Sequence, residues 1–326
     1  MRAAWYDRQG PARDVLRVGT LPDPPPGPGE VRVRLSYSGV NPGDVKKRQG
    51  WLGSAMPYPR VVPHSDGAGV IDRVGTGVDP ARRGRRVWVY GAQSYRPSGT
   101  AAEFTVVPDG CAVDLPDGVD ERLGAALGIP GITAHRAVFG DGPVDGRVVL
   151  VHGVLGAVGA LAAQLAAWGG ATVVGTVRRA ADLDRVDPAV ATAVVCDAAD
   201  AAERILAVAP EGVHRIVEVA LSANAGLDAD VAAQGAVIAA YASPEDRPAI
   251  PFWPLLFGNV TLRLLGSDDF PPQAKDAAAR DLTDVAAQGR LRIPVAPAYP
   301  LADVAAAHEA VEASSHRGRI LIDTRE

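Results

Sequence analysis

Apolar positions recur along this chain in two rhythms. Up to about residue 120 they come in short runs, broken repeatedly by Gly and Pro. Val31-Arg-Val-Arg-Leu-Ser-Tyr37 alternates apolar with polar, as a half-buried strand does. Residues 2–6, 67–74, 86–90 and 101–107 read as further strands, and Leu21-Pro-Asp-Pro-Pro-Pro-Gly-Pro-Gly29 as a stiff connector. Many short strands with frequent turns predict a small β-barrel-like domain. Residues 121–127 and then 129–139 look helical. From Arg147 the rhythm changes: strands at 148–151, 171–177, 192–196, 213–219, 235–241 and 260–265 alternate with Ala-rich segments such as 199–209 and 227–234. That alternation predicts a parallel sheet covered by helices, with ligands at the carboxyl ends of its strands. Helices at 273–288 and 302–313 and a strand at 319–322 close the chain, and that strand is expected to rejoin the first domain.

The stretch Val151-His-Gly-Val-Leu-Gly-Ala-Val-Gly159 joins the first strand of the alternating region to an apolar helix running through Leu161, Leu165 and Trp168. Strand, glycine turn and helix form the context of a dinucleotide-binding fingerprint. Gly153 would allow the sharp turn, Gly156 the close approach of a pyrophosphate, and Gly159 tight packing of helix on sheet. The anion would rest on the backbone amides of Gly156, Ala157 and Val158 at the helix start. Leu155 stands where the common pattern has its middle glycine, so an ordinary strand-to-helix turn is the competing reading.

Composition narrows the classes. The 326 residues favour two domains, and 47% hydrophobic content is enough for buried cores. A net charge of −5 does not favour nucleic acid or an anionic membrane. Cys111 and Cys196 lie far apart and offer neither a disulfide framework nor a Cys-x-x-Cys metal cluster. The N-terminal residues lack the apolar core of a signal peptide, and no apolar run approaches the roughly 20 residues of a membrane helix. The expectation is a soluble cytoplasmic protein.

The second strand of the alternating region ends Gly175-Thr-Val-Arg-Arg179, with no carboxylate at its tip. NAD-binding folds place an Asp or Glu there for the ribose 2′-hydroxyl, whereas guanidinium groups hold a 2′-phosphate. Arg178 and Arg179 therefore point to NADPH, unless both are simply solvated at a helix start. Asp182 and Asp184 follow closely and are candidates to cap that helix.

Several motifs resemble those of the zinc-independent (zeta-crystallin-like) quinone oxidoreductases of the medium-chain dehydrogenase/reductase superfamily, in the same order and over essentially the whole chain. Asn41-Pro-Gly-Asp44 with Arg48 and Gly50 resembles that family's N-P-x-D-x-x-x-R-x-G segment. Val62-Pro-His-Ser-Asp-Gly-Ala-Gly-Val-Ile71 resembles its P-G-x-D-x-A-G-x-I segment, with His64 in place of the usual glycine. Gly131-Ile-Thr-Ala134, the glycine turn itself, Asn259-Val-Thr-Leu262 and Gly318-Arg-Ile320 fit as well. The resemblance implies an α/β chain with a GroES-like β-barrel catalytic domain at 1–122 and 267–326. It implies a Rossmann NADP-binding domain at 123–266, an active-site cleft between the two, and assembly as a homodimer through the Rossmann sheet.

The superfamily's alcohol dehydrogenases hold zinc on Cys and His. The matching positions here look like Ser38 and Ser65, which are poor ligands, so no metal is expected. His64 and His152 read as packed or hydrogen-bonded rather than ligating. Without a metal, hydride must go to a centre that is already electrophilic, such as a quinone or an α,β-unsaturated carbonyl, and the redox chemistry is the cofactor's. By resemblance Asn41 lies beside the nicotinamide and would donate to the developing oxyanion. Asp44 and Lys46 or Lys47 share its segment and could relay a proton, against a plain solvated run Lys46-Lys-Arg48. Thr133, Tyr241, Ser243, Gly266 and Ser267 would border the cofactor. Trp51, Tyr58, Phe252 and Trp253 either line the substrate pocket or pack in a core. Three other functions compete: an enoyl reductase or tailoring enzyme in biosynthesis, a low-turnover NADPH-binding sensor or structural protein, and a zinc alcohol dehydrogenase.

Overall fold

The structure, a computed structural model, describes residues 1–314 and 318–325. The chain divides into two compact units, 1–129 with 279–326, and 130–278. Both junctions fall inside helices, which explains why they lie beyond the expected boundaries at 122/123 and 266/267.

The first unit opens with β1 (Arg2–Trp5), α1 (Ala12–Val15) and β2 (Arg17–Thr20), with β1 and β2 antiparallel. β3 (Glu30–Gly39) is the long strand of the unit. Its Val31, Val33 and Leu35 are buried with Ile71, Val87 and Val107 in one core cluster. Arg32 departs from the alternation: it is buried too, bonded to Asp72 through Nε at 3.0 Å and covering the Phe104 ring at 4.5 Å. α2 (Pro42–Gln49) follows β3 directly. β4 (Asp66–Val74), β5 (Arg86–Val89), β6 (Phe104–Pro108) and β7 (Ala112–Asp114) complete the N-terminal part. Then α3 (Glu121–Phe139) runs through a kink at Gly128, where φ/ψ are −41/−111°. Pro130 cannot donate to the helix ladder and disfavours helical geometry at the residue before it. The kink accounts for the two helical segments in the sequence pattern, and it turns the Ile129 N–H toward Asp66.

The second unit carries β8 (Val148–Val151), α4 (Ala157–Trp168), β9 (Thr172–Val177), β10 (Thr192–Val195), α5 (Ala201–Val208), β11 (Val213–Glu218), α6 (Leu221–Val231), β12 (Ala232–Ala240), α7 (Phe252–Phe257) and β13 (Thr261–Leu264). The strands form one parallel sheet ordered β10-β9-β8-β11-β12-β13. This is the doubly wound order, reversing direction between β8 and β11, and ligands bind at the carboxyl ends beside that switch point. Leu150, Val174, Ile205, Ile216 and Ile238 fill the core on one face. One helix differs from expectation. The segment read as helix over 227–234 begins earlier, at Leu221, and residues 232–234 belong to β12, because Ala232 pairs with Val213. Ladder hydrogen bonds outweigh the modest helix preference of alanine there.

The chain continues through α8 (Pro272–Ala287), β14 (Tyr299–Pro300), α9 (Val304–Glu312) and β15 (Leu321–Asp323). β15 pairs antiparallel with β3, so the closing strand rejoins the first unit as the pattern predicts. The first unit's sheet reads β14-β15-β3-β4-β5-β7, with β6 also on β3. Within the same unit Trp88, fully buried, donates its indole N–H to Thr283 Oγ1 at 3.1 Å.

Leu150 occupies the central strand of the parallel sheet and is fully buried. Leu150→Ala is expected to cost about 2–5 kcal/mol, read as a lower urea midpoint at an unchanged denaturant slope.

Candidate functional site

Two buried polar clusters stand out, one in each unit. In the first, Asp66 at the start of β4 is the hub and is fully buried. One carboxylate oxygen accepts from the Ile129 N–H at 2.8 Å. The other accepts from the Asn41 side-chain amide at 2.7 Å and the Arg319 guanidinium at 2.8 Å. Arg319 also donates to the Val40 carbonyl, so it ties the β3–α2 junction to the start of β4. Asn41 caps α2, and Asp44 accepts the Asn41 backbone N–H at 2.7 Å. Burial pushes the Asp44 carboxyl up to about 7, with Asp66 adding to the rise.

Next to this hub runs a line of buried groups. Thr100 Oγ1 donates to the Asp66 carbonyl at 2.6 Å and lies 2.7 Å from Ser38 Oγ. Ser38 Oγ lies 2.8 Å from His64 Nδ1, and His64 Nε2 lies 2.9 Å from His308 Nε2. Arg48 donates to His308 Nδ1 at 3.4 Å and pairs with Glu312. Burial, then the Arg48 charge, lowers His308 to about 3; burial, then His308 and Arg319, holds His64 well below its ordinary value. His64 has φ of 76°, a left-handed conformation that L-residues other than Gly, Asn and Asp seldom adopt.

In the second unit the fingerprint turn leaves β8 at Gly153, where φ is +63°. A Cβ at Gly159 would sit 2.3 Å from the Gly153 carbonyl oxygen, so only glycine lets α4 start that close to the turn. The Gly156 N–H donates to the Gly153 carbonyl at 2.8 Å. That corrects one expectation: the Gly156 amide is used within the turn. Among the described residues, the Ala157 and Val158 N–H groups stay unpaired at the helix start.

Beneath the turn, His152 lies 2.9 Å from Thr176 Oγ1 and 2.8 Å from Asp228, and Thr176 Oγ1 also accepts the Gly153 N–H at 3.3 Å. Glu218, at the end of β11, accepts from Asn224 at 3.1 Å and from the Ala220 N–H. Burial pushes Glu218 up to about 7. Burial alone would lower His152, but the Asp228 hydrogen bond and both carboxylate charges raise it. Three ligand atoms of His152, Glu218 and Asp228 lie within 4.8 Å of one another; one oxygen of each carboxylate has no hydrogen-bond partner among the described residues, and that of Glu218 lies 3.5 Å from His152 Nε2. The His152–Asp228 distance is that of a hydrogen bond, so a proton satisfies the pair.

The remaining predicted positions divide. Arg178, at the tip of β9, is exposed and has no hydrogen-bond or ion-pair partner among the described residues. Arg179 is also exposed but pairs with Asp182 at 2.8 Å. Thr133 is buried on α3 beyond the kink. Tyr241 and Ser243 follow β12, half-buried, and Gly266 and Ser267 follow β13. Lys46 covers the Trp51 ring at 4.2 Å, and Lys47 donates to Gln93 at 3.2 Å. Tyr58 donates to the Tyr95 carbonyl. Phe252 and Trp253 are exposed on α7 and so do not pack in a core. Sequence reasoning missed His308, Thr100, Glu218 and Asp228 as network members. Asp66 and Arg319 lay inside quoted motifs, and only folding shows that they meet.

His308 is depressed below the value of 6.5 expected in the unfolded chain, so the fold binds fewer protons between those limits. Its contribution to stability is complete above pH 6.5 and is lost as pH falls toward about 3. Thermal melts of His308→Gln, which keeps a donor and an acceptor but does not titrate, are expected to lose less Tm than the parent between pH 7 and pH 4.5. An equal loss would discount the imidazole.

The chain can now be set beside known proteins. The sequence model of the alcohol dehydrogenase GroES-like domain family matches residues 27–117, and that of the zinc-binding dehydrogenase family matches residues 170–322. Quinone oxidoreductase of Rattus norvegicus is 40% identical over 156 residues, covering 47% of this chain and 45% of the relative. Quinone oxidoreductase of Homo sapiens is 36% identical over 165 residues, covering 50% and 49%. The matches thus span about half the length of these curated relatives. A solved mycobacterial quinone oxidoreductase superposes with a TM-score of 0.84 at 27% identity, over 99% of both chains. A mycobacterial structure complexed with NADPH gives 0.85 at 26%, again over 99% of both. With a GroES-like unit, a six-stranded doubly wound sheet and these relatives, the chain is similar across both units to quinone oxidoreductases of the medium-chain dehydrogenase/reductase superfamily.

Proposed function

We propose that the protein is an NADPH-dependent, zinc-independent reductase that passes hydride to a quinone or an α,β-unsaturated carbonyl. The observation that carries the metal-free reading is the state of the groups where the superfamily's alcohol dehydrogenases have zinc ligands. Ser38 Oγ is hydrogen-bonded to His64 and Thr100, and both ring nitrogens of His64 are engaged, by Ser38 and His308. Hydroxyls are poor zinc ligands, and the nearest imidazole has no free nitrogen, so this donor set does not fit zinc.

The residues do fit a dinucleotide. Ala157 and Val158 present unpaired amides at a helix N-terminus, the place where a pyrophosphate gains most from backbone donors and the helix dipole. Arg178, beyond β9, has no hydrogen-bond or ion-pair partner among the described residues; a 2′-phosphate there would be met by a guanidinium, and no carboxylate of that strand would oppose it. Bound NADPH would supply the hydride. On the protein side, the Asn41 amide gives one hydrogen to Asp66, which fixes its plane and leaves the second hydrogen for an oxyanion. Asp44, held near neutrality in its titration, lies in the same turn and is the proposed proton reservoir. Lys46, covering Trp51, is the proposed charge beside the substrate. Thr133, Tyr241, Ser243, Gly266 and Ser267 remain the proposed border of the cofactor.

A homodimer belongs to the same proposal. β13 is an edge strand, and α7 beside it exposes Trp253 at 64% and Phe257 at 71%. An open strand edge flanked by bare aromatics is an association surface that a second copy, related by a twofold axis, would cover. Trp253→Glu is expected to convert dimer to monomer in light scattering; an unchanged mass would reject this face.

Loss of reduced-nicotinamide absorbance tests the activity, with NADPH and NADH in parallel against a quinone and a small enone, chelator present. Fast oxidation of NADPH that ignores the chelator and is weak with NADH is the expected result. Saturable NADPH binding without turnover of either acceptor would reject the reading in favour of a dedicated biosynthetic substrate or a non-catalytic role. Arg178→Ala should raise the KM for NADPH on the order of tenfold and leave that for NADH nearly unchanged, as loss of one charge-assisted bond predicts.

A further inference from the structure

The hydrogen positions in the buried line from Asp66 to Arg48 are forced by counting donors. A carbonyl cannot donate, so the one hydroxyl hydrogen of Thr100 goes to the Asp66 carbonyl. The Ser38–Thr100 contact at 2.7 Å then needs the Ser38 hydrogen. Ser38 has none left for His64, so His64 must be protonated at Nδ1. Its Nε2 is then a bare acceptor, and His308 must supply the hydrogen from its own Nε2. That leaves His308 Nδ1 bare, which suits the guanidinium N–H that Arg48 points at it. Counting from the Arg48 end gives the same answer, because a guanidinium never accepts. The ring centroids are 5.1 Å apart and the ring planes 24° from parallel, while the two Nε2 atoms are 2.9 Å apart, so the rings meet edge to edge.

Both ends of this line are closed, by an arginine and by a carbonyl, so it cannot pass a proton to a substrate. Its two fixed tautomers serve to hold. Ser38 precedes Asn41 on β3, Arg48 lies in the last turn of α2, His64 precedes Asp66, and His308 lies on α9. We propose that the neutral His64–His308 couple is the positioning element of the Asn41 segment, clamping the β3–α2 corner onto α9, and that a proton on either ring opens the clamp. A second proton would set two N–H groups against each other, or an N–H against Arg48. This rests on the reading of Asn41 as the oxyanion donor. The left-handed backbone at His64 supports it, since strain of that kind persists only where the surroundings over-determine it.

The charged and titratable groups facing the couple are Arg48 from α2 and Arg319 from the segment before β15. Beyond Arg48 stand Glu309 and Glu312 of α9 and the Tyr6 hydroxyl. Glu309 is held by Arg13, at 2.7 Å, and Glu312 by Arg48, so none of these offers a carboxylate to a protonated imidazole.

Long-range proton–nitrogen correlation spectra of the full chain, labelled at its six histidines, read the tautomers directly. The expected result is Nδ1–H at His64 and Nε2–H at His308, with neither ring titrating above pH 5. The opposite tautomers, or a ring titrating near its ordinary value, would overturn the clamp whether or not any acceptor is turned over. In steady-state assays His308→Gln, with a donor for His64 and an acceptor for Arg48, should keep kcat and lose the part of any acid-side decline that belongs to the His308 ring, leaving only that of His64. His308→Leu should lower kcat on the order of tenfold with the KM for NADPH unchanged, as misplacement of one donor predicts. If His308→Leu lowers only Tm and leaves kcat intact, the couple is structural and the proposal fails.

Discussion

The first unit depends on a single buried carboxylate. Asp66 receives an amide N–H from the kink of α3, a side-chain amide from Asn41 and a guanidinium from Arg319. A buried carboxylate is tolerated only when paired and hydrogen-bonded, and removing one partner leaves the other charge uncompensated in low dielectric. The ion pair joins residues 253 positions apart, so the corner that carries Asn41 cannot be completed until the chain has returned from the second unit. Placement of that amide is therefore a property of the assembled unit and not of the local turn.

The two polar clusters solve opposite electrostatic problems. In the first unit the imidazoles face arginines and are kept neutral, which makes each ring nitrogen a dedicated donor or acceptor. In the second, an imidazole faces two carboxylates and is pushed toward its charged form, which offsets buried negative charge below the fingerprint turn. One residue type thus serves as rigid spacer and as counter-charge, and the neighbours alone make the difference. On the proposed reading, the metal's role in orienting the substrate oxygen passes to an amide fixed by an ion pair.

Much of the architecture was legible in the chain. The change of apolar rhythm near residue 147 located the parallel sheet, because a strand buried on both faces must be apolar throughout. The fingerprint was legible because Gly153 takes a left-handed conformation that favours glycine and Gly159 stands where a Cβ would strike the Gly153 carbonyl. The helix at α6 was misplaced by several residues, since alanine-rich sequence is compatible with either state and strand pairing decides. Alternation alone places Arg32 on the polar face of β3, whereas Asp72 and Phe104 make its burial possible.

What the sequence determined by itself was the change from a strand-rich part to alternating strands and helices, the glycine turn and the poor zinc ligands at positions 38 and 65. These depend on neighbours a few residues apart and on side-chain chemistry. Only the tertiary structure decided which polar groups meet: Asp66 with Arg319, His64 with His308, His152 with Glu218 and Asp228. It also decided that the Gly156 amide is used within its own turn and that Arg179 pairs with Asp182, while Arg178 has no hydrogen-bond or ion-pair partner among the described residues. Protonation states and donor directions follow from burial and from partners far apart in the chain, and no local pattern encodes them.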